Sequence, residues 1–118
     1  MQSIVGVDID GGRRKMLQCY FNAKQFGEVT VMETRHGYHL YILVDRELTV
    51  EENFYMRRVL GDDWQRLQYD ELKRDLGLID FIDTLFVTKR ERDGSTYHVK
   101  EIDPLTPPMY VPRQVFKR

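Results

Sequence analysis

The chain is poor in cysteine, poor in asparagine, and contains no long apolar run. One cysteine, Cys19, excludes an internal disulfide and suits a reducing, cytoplasmic setting. Its place in an apolar helical pattern reads as a small buried hydrophobe rather than a nucleophile. The lack of any stretch of about 18 apolar residues argues against a membrane span. There is no basic-then-apolar leader, which argues against a secretion signal. Only Asn22 and Asn53 carry that side chain amid many charges, a lean towards a thermophilic source. A large charge of one sign is missing too. The net charge is −1, so any nucleic-acid role must rest on local patches.

What is present is the composition of one folded domain. The 118 residues are 42% hydrophobic and 31% charged, enough for a core but not for a second domain. Punctuation along the chain is clear. "SIVGVDI" (3–9) reads as a buried strand, broken by Gly11 and Gly12. Residues 13–26 put Met16, Leu17, Tyr20 and Phe21, with Cys19, on one helical stripe that Gly27 stops. "EVTVMET" (28–34) and "GYHLYILV" (37–44) alternate and form a hairpin. Thr49 and Glu52 make a capping box for a helix that Gly61 ends. Asp62 or Asp63 caps a second helix, stopped by Gly77. Residues 82–91 and 95–102 read as strands around an Asp93-Gly94 turn. All four prolines lie from 104 onwards, giving a 1–103 domain and an extended 104–118 tail.

The order βαββαβ, with a C-terminal hairpin extension, predicts an α+β ferredoxin-like (RRM-like) domain: an antiparallel sheet with helices on one face. In that topology the first and third strands pair at the centre, and the strand from 82 flanks the first. Strand parity sends Val5, Val7 and Ile9 towards the helices and Asp8 and Asp10 to the open face. Tyr38, Leu40 and Ile42 face the helices, so His39 and Tyr41 share the open face. Asp80 and Asp83 enter at the same end. Two aspartates two apart suit Mg²⁺ or Mn²⁺, because hard cations take carboxylate oxygens and complete their shell with phosphate and water. His39, Arg35 and the turn amides near Gly37 can hold phosphate oxygens. Against this, Asp8 and Asp10 also read as a turn signal, and His39 as a half-exposed strand residue. Arg57, Arg58, Arg66, Lys73 and Arg74 read as a solvated helix face, and Trp64 as core.

These residues resemble the catalytic palm of the archaeo-eukaryotic primase superfamily. "VDID" (7–10) is similar to its metal-binding Asp-x-Asp, and "TRHGYHLYI" (34–42) to its second motif, a basic or glycine turn leading into a histidine strand. "LIDFID" (78–83) offers Asp80 and Asp83 for the third. The resemblance implies catalytic Asp8, Asp10 and Asp83, a metal on Asp8 and Asp10, and nucleotide phosphates met by His39, with Arg35 and Tyr41 nearby. It implies nucleic-acid processing or nucleotide binding in a minimal form such as mobile genetic elements carry, active or catalytically decayed. No second module or cysteine zinc knuckle accompanies the motifs. "RRVLGDDWQRLQYDELKRD" (57–75) is similar to part of small palm-like proteins of such elements, without an assigned role. Two other readings stand beside it. One is a non-catalytic module that binds nucleic acid through its open sheet with Tyr41 and Phe86, or that dimerises through the tail or a sheet edge. The other is a nicking enzyme like the rolling-circle replication initiators, with Tyr69 and Lys73 of "YDELK"; there the paired histidines do not match, since His36 and His39 are three apart.

Overall fold

A computed structural model describes residues 2–84, 88–90 and 96–106. The chain folds as a small α+β domain. The elements are β1 (Ser3–Ile9), α1 (Arg13–Ala23), β2 (Glu28–Glu33), β3 (Tyr38–Val44), α2 (Val50–Leu60), α3 (Trp64–Asp75), a 3₁₀ turn (Ile79–Phe81), β4 (Thr88–Arg90), β5 (Thr96–His98) and β6 (Lys100–Ile102). Four strands form an antiparallel sheet in the order β1-β3-β2-β6, an arrangement compatible with a ferredoxin-like layout.

The core follows strand parity. Val5, Val7 and Ile9 of β1, Leu40, Ile42 and Val44 of β3, and Val31 of β2 are buried together against Met16, Cys19, Tyr20 and Ala23 of α1 and Met56 and Leu60 of α2. These are the β-branched and aliphatic residues that a half-buried pleated surface favours. Local signals set the helix ends. Thr49 Oγ1 accepts from Glu52 N at 3.1 Å while Glu52 Oε1 accepts from Thr49 N at 3.0 Å, a complete capping box. Gly61 closes α2 at φ +83°, a left-handed conformation that glycine adopts without a Cβ penalty. Asp63 is the residue that caps α3, accepting from Gln65 N at 2.9 Å.

Several expectations are corrected. The helix predicted over 13–26 ends at Ala23, and Phe21 projects into solvent rather than joining the stripe. Trp64 is 63% exposed, not core. The basic residues of 57–74 are not all solvated, since Arg57 is fully buried. Instead of a strand beginning at 82, the chain makes the 3₁₀ turn and then sets Asp83 at φ +61°. Strand β4 does not flank β1. It pairs with β5 in a separate two-stranded sheet, across the expected Asp93-Gly94 turn, whose own residues lie outside those described. The returning strand is interrupted at Val99, and its second half, β6, joins the edge of β2. Phe86 and residues 107–118 of the proline-rich tail also lie outside the described residues. No described helix is long and apolar enough to cross a membrane.

Candidate phosphate and cation site at the end of the first strand

The site begins with register. Asp8 of β1 sits directly opposite His39 of β3, and Gly6 opposite Tyr41. Opposed residues share a sheet face, so Asp8, His39 and Tyr41 all project from the face away from α1. His39 Nε2 lies 3.7 Å from Asp8 Oδ1, within ion-pairing range if the imidazole is protonated. The His39 side chain is 1% exposed and the Asp8 side chain 24%, so the carboxylate is the reachable partner. Tyr41 packs edge-on to His39, ring centroids 6.4 Å apart. Burial pushes the Tyr41 phenol above its ordinary pKa; Arg66 opposes this, and the nearby Asp83 and Asp8 reinforce it.

Asp10 lies just past the end of β1 and is exposed. It faces the Thr34–Gly37 turn that joins β2 to β3. That turn is closed by Thr34 N donating to Gly37 O at 2.9 Å. Gly37 is required there by a close approach rather than by its φ. A Cβ at Gly37 would stand 2.1 Å from Ile9 O and 3.2 Å from the Asp10 Cα. The absent side chain therefore lets the turn lie directly on the backbone between Ile9 and Asp10.

Two adjoining concavities result. One, of about 260 Å³, is lined by Asp8, Ile9, Asp10, Thr34, His36, Gly37 and Asp63. The other, of about 520 Å³, is lined by Gly11, Glu33, Thr34, Arg35, His36, Gly37 and Tyr38. The first is smaller than the ~300 Å³ at which ligand pockets usually begin, the size of a hydrated ion and one anionic group; the second falls inside that range. They share Thr34, His36 and Gly37, so one ligand can reach both. Arg35 and His36 are exposed at the rim. Among the described residues, no group of three or more His, Cys, Asp or Glu is arranged to hold a metal ion by itself. A cation here would take the Asp8 and Asp10 carboxylates and depend on ligand oxygens for the rest of its shell.

Asp83 stands elsewhere, and the reason is the segment 57–75. In β1 the amide and carbonyl of Gly6 and the amide of Asp8 point away from β3, to the edge where a flanking strand was expected. Side chains take them instead. Gly6 N donates to Asp83 Oδ2 at 2.9 Å, Arg66 Nη1 donates to Gly6 O at 2.9 Å, and Asp8 N donates to Asp62 Oδ1 at 2.8 Å. The three are held to one another and to α2. Asp62 Oδ2 accepts from Arg57 Nε and Arg66 Nη1, each at 2.7 Å. Asp83 accepts from Arg66 Nη2 and from Asn53 Nδ2, and its own amide donates to Asp70 Oδ2 at 3.0 Å. Arg57 also pairs with Asp70 at 2.8 Å. Both Asp83 oxygens are thus committed to the β1 edge, while Asp80 is exposed on the 3₁₀ turn. Burial pushes the Asp62 carboxyl above its ordinary pKa, and Arg66, the Asp8 amide and Arg57 pull it back down.

Sequence reasoning missed Asp62, Arg66 and Asp63 as neighbours of Asp8. The available signal was two adjacent aspartates after Gly61, of which a helix cap needs only one. Tyr69 lies on the outward face of α3, and Lys73 donates to Phe81 O and pairs with Asp70. No family model, curated protein or solved structure matches this chain.

Proposed function

We propose that this protein binds a nucleotide or nucleic-acid phosphate together with Mg²⁺ or Mn²⁺ at the end of β1, as in a minimal primase-like palm. The observation that carries the reading is the Asp8–His39 register pair beside the concavity that Asp10 and the Thr34–Gly37 turn complete. Asp8 and Asp10 supply carboxylate oxygens to the cation, and phosphate and water complete its shell. Arg35 and His36 at the rim give cationic and hydrogen-bonding groups for phosphate oxygens, and His39 orients Asp8 from below. Bound there, the cation would polarise a phosphorus centre for nucleotidyl transfer. Asp83 enters this reading as the group that holds the edge of β1, not as a third ligand.

The test is calorimetry of Mn²⁺ with a nucleoside triphosphate against the intact protein and against Asp8→Ala/Asp10→Ala. Binding to the first and not to the second is expected. No heat with the intact protein sinks the reading.

A second reading is a non-catalytic nucleic-acid module, favoured by Tyr41, a half-buried aromatic on the sheet face away from α1, packed edge-on against the buried His39. It predicts retention of single-stranded DNA or RNA that weakens steeply with salt and survives loss of both aspartates.

A further inference from the structure

We infer that the larger concavity takes the sugar of a ribonucleotide, with the Glu33 carboxylate accepting hydrogen bonds from its 2′ and 3′ hydroxyls. The inference rests on the nucleotide reading above and assigns a part of the ligand that Asp8 and Asp10 leave unmet. Glu33 is the last residue of β2. It shares a strand side with Val29 and Val31, which pack into the core, so it stands on the helix side of the sheet, while Asp8 projects from the other. The Thr34–Gly37 turn lies between the two, and Thr34, His36 and Gly37 line both concavities. The turn thus separates a phosphate and cation end from the end that Glu33 lines.

Glu33 differs from the other carboxylates that the fold covers. Among the described residues, every other buried or half-buried carboxylate is taken. Asp8 meets His39, Glu52 meets the Thr49 amide, Asp63 caps α3, and Glu71 pairs with Arg58. Asp62, Asp70 and Asp83 share Arg57 and Arg66. Glu33 is half-buried, yet no hydrogen bond or ion pair from a described residue reaches its carboxylate. Lys100 stands opposite it in register on β6, but is exposed to solvent and does not pair with it. A carboxylate that has lost part of its water gains most from a ligand that donates, and it is an acceptor only.

Chemistry selects the donor. Like charge keeps phosphate away from Glu33 and leaves it to Arg35 and His36 at the rim. The Glu33 and Arg35 Cα atoms are at most roughly 7 Å apart, since only Thr34 separates them. That span suits the sugar next to a 5′ phosphate better than a base edge beyond it. Two adjacent hydroxyls match the two carboxylate oxygens, the pairing by which an acidic residue holds ribose in dinucleotide-binding folds. Tyr38, directly opposite Glu33 on β3, lines the same concavity and gives the sugar an apolar wall.

Calorimetry of the full chain with Mn²⁺ and ATP, dATP, GTP or dGTP tests this. Each ribonucleotide should bind roughly tenfold more tightly than its 2′-deoxy partner, whose missing hydroxyl leaves a carboxylate oxygen unmatched. Glu33→Gln keeps the side-chain shape but turns one acceptor into a donor, and should bring that ratio down to about two or less. Glu28→Gln, exposed at the other end of β2, should leave the ratio as it is. If Glu33→Gln loses the parent's far-UV spectrum, Glu33→Thr, a better strand former, takes its place. Equal affinity for ribonucleotides and deoxynucleotides overturns this inference and leaves the Asp8–Asp10 reading standing. So does a ribose preference that survives the change at Glu33. A preference for both guanine nucleotides that Glu33→Gln abolishes also overturns it, because the carboxylate then reads the paired N–H groups of guanine. No heat with any of these nucleotides overturns both readings together.

Discussion

The Asp62 carboxylate accepts a hydrogen bond from the Asp8 backbone amide at 2.8 Å, across 54 residues of sequence. The same carboxylate holds Arg57 and Arg66. One buried side chain therefore ties the candidate site residue to the α2–α3 turn and does part of what a neighbouring strand would do. At the outer edge of β1 side chains take Gly6 N, Gly6 O and Asp8 N, so these backbone groups are satisfied without a fifth strand beside β1.

Asp62→Ala should be among the most destabilising single changes in the chain. It leaves the buried Arg57 and the partly buried Arg66 each short of a counter-charge and the Asp8 amide without its acceptor. A loss of roughly 3–5 kcal/mol is expected from urea unfolding, as for other broken buried pairs. Asp63→Ala, by contrast, removes a half-buried helix cap outside the ion-pair network and should cost about 1 kcal/mol. Equal losses in the two variants would contradict the network drawn here.

Gly37→Ala should separate the turn from Asp10. The added methyl overlaps Ile9 O, a backbone atom that cannot swing aside. A stability loss of about 1–3 kcal/mol is expected. Affinity for Mn²⁺ with nucleotide should fall with it, because the turn and the aspartate no longer line one concavity. Gly12→Ser is the matched control. Nothing lies within 4 Å of a Cβ there, and α1 lacks a side-chain cap that serine can supply. That variant should be neutral or slightly stabilised in the same unfolding experiment.

Asp10→Asn should separate binding from stability. Asp10 is exposed at the strand end, so the unfolding midpoint should stay within about 0.5 kcal/mol of the parent. Cation-dependent nucleotide binding should weaken at least tenfold in calorimetry. Unchanged affinity would remove Asp10 from the site.

High pH should weaken the fold through Cys19. Burial, with a smaller effect from Asp62, pushes the thiol up from 9.0 to about 12. The unfolded chain thus releases this proton first, and between pH 9 and 12 the folded state binds more protons than the unfolded one. Stability is fully present below pH 9 and falls as pH rises through that window. By pH 10.5 the loss from this group approaches roughly 2 kcal/mol. Urea unfolding at pH 8 and 10.5 should show a smaller pH effect in Cys19→Ala. The buried thiol should also react slowly with disulfide reagents at pH 8.

Much of this layout was legible in the chain. A period of two in "SIVGVDI" and "GYHLYILV" fixes which residues of each strand share a face, and the βαββ order that pairs the first and third strands brings His39 beside Asp8. The Thr49–Glu52 box and Gly61 mark the ends of α2 because capping is local chemistry. Period alone misleads where the partner is missing: Trp64 and Phe21 satisfy a helical stripe, yet nothing in the described domain covers them. Apolar spacing states what a helix can bury, not what it meets.

Tertiary structure decided the rest. Asp83 reads as a third acidic ligand in "LIDFID", but its carboxylate is drawn to Gly6 N and Arg66, 77 and 17 residues away. Arg57 reads as a solvated helix residue, but it is buried because Asp62 and Asp70 converge on it. These outcomes depend on charge pairing and backbone satisfaction at long range, where burial makes an unpaired group costly. No local pattern encodes that requirement. The sequence by itself determined which residues share a strand face and where the helices start and stop. Only the fold decided which aspartates face the concavity and which close the edge of the sheet.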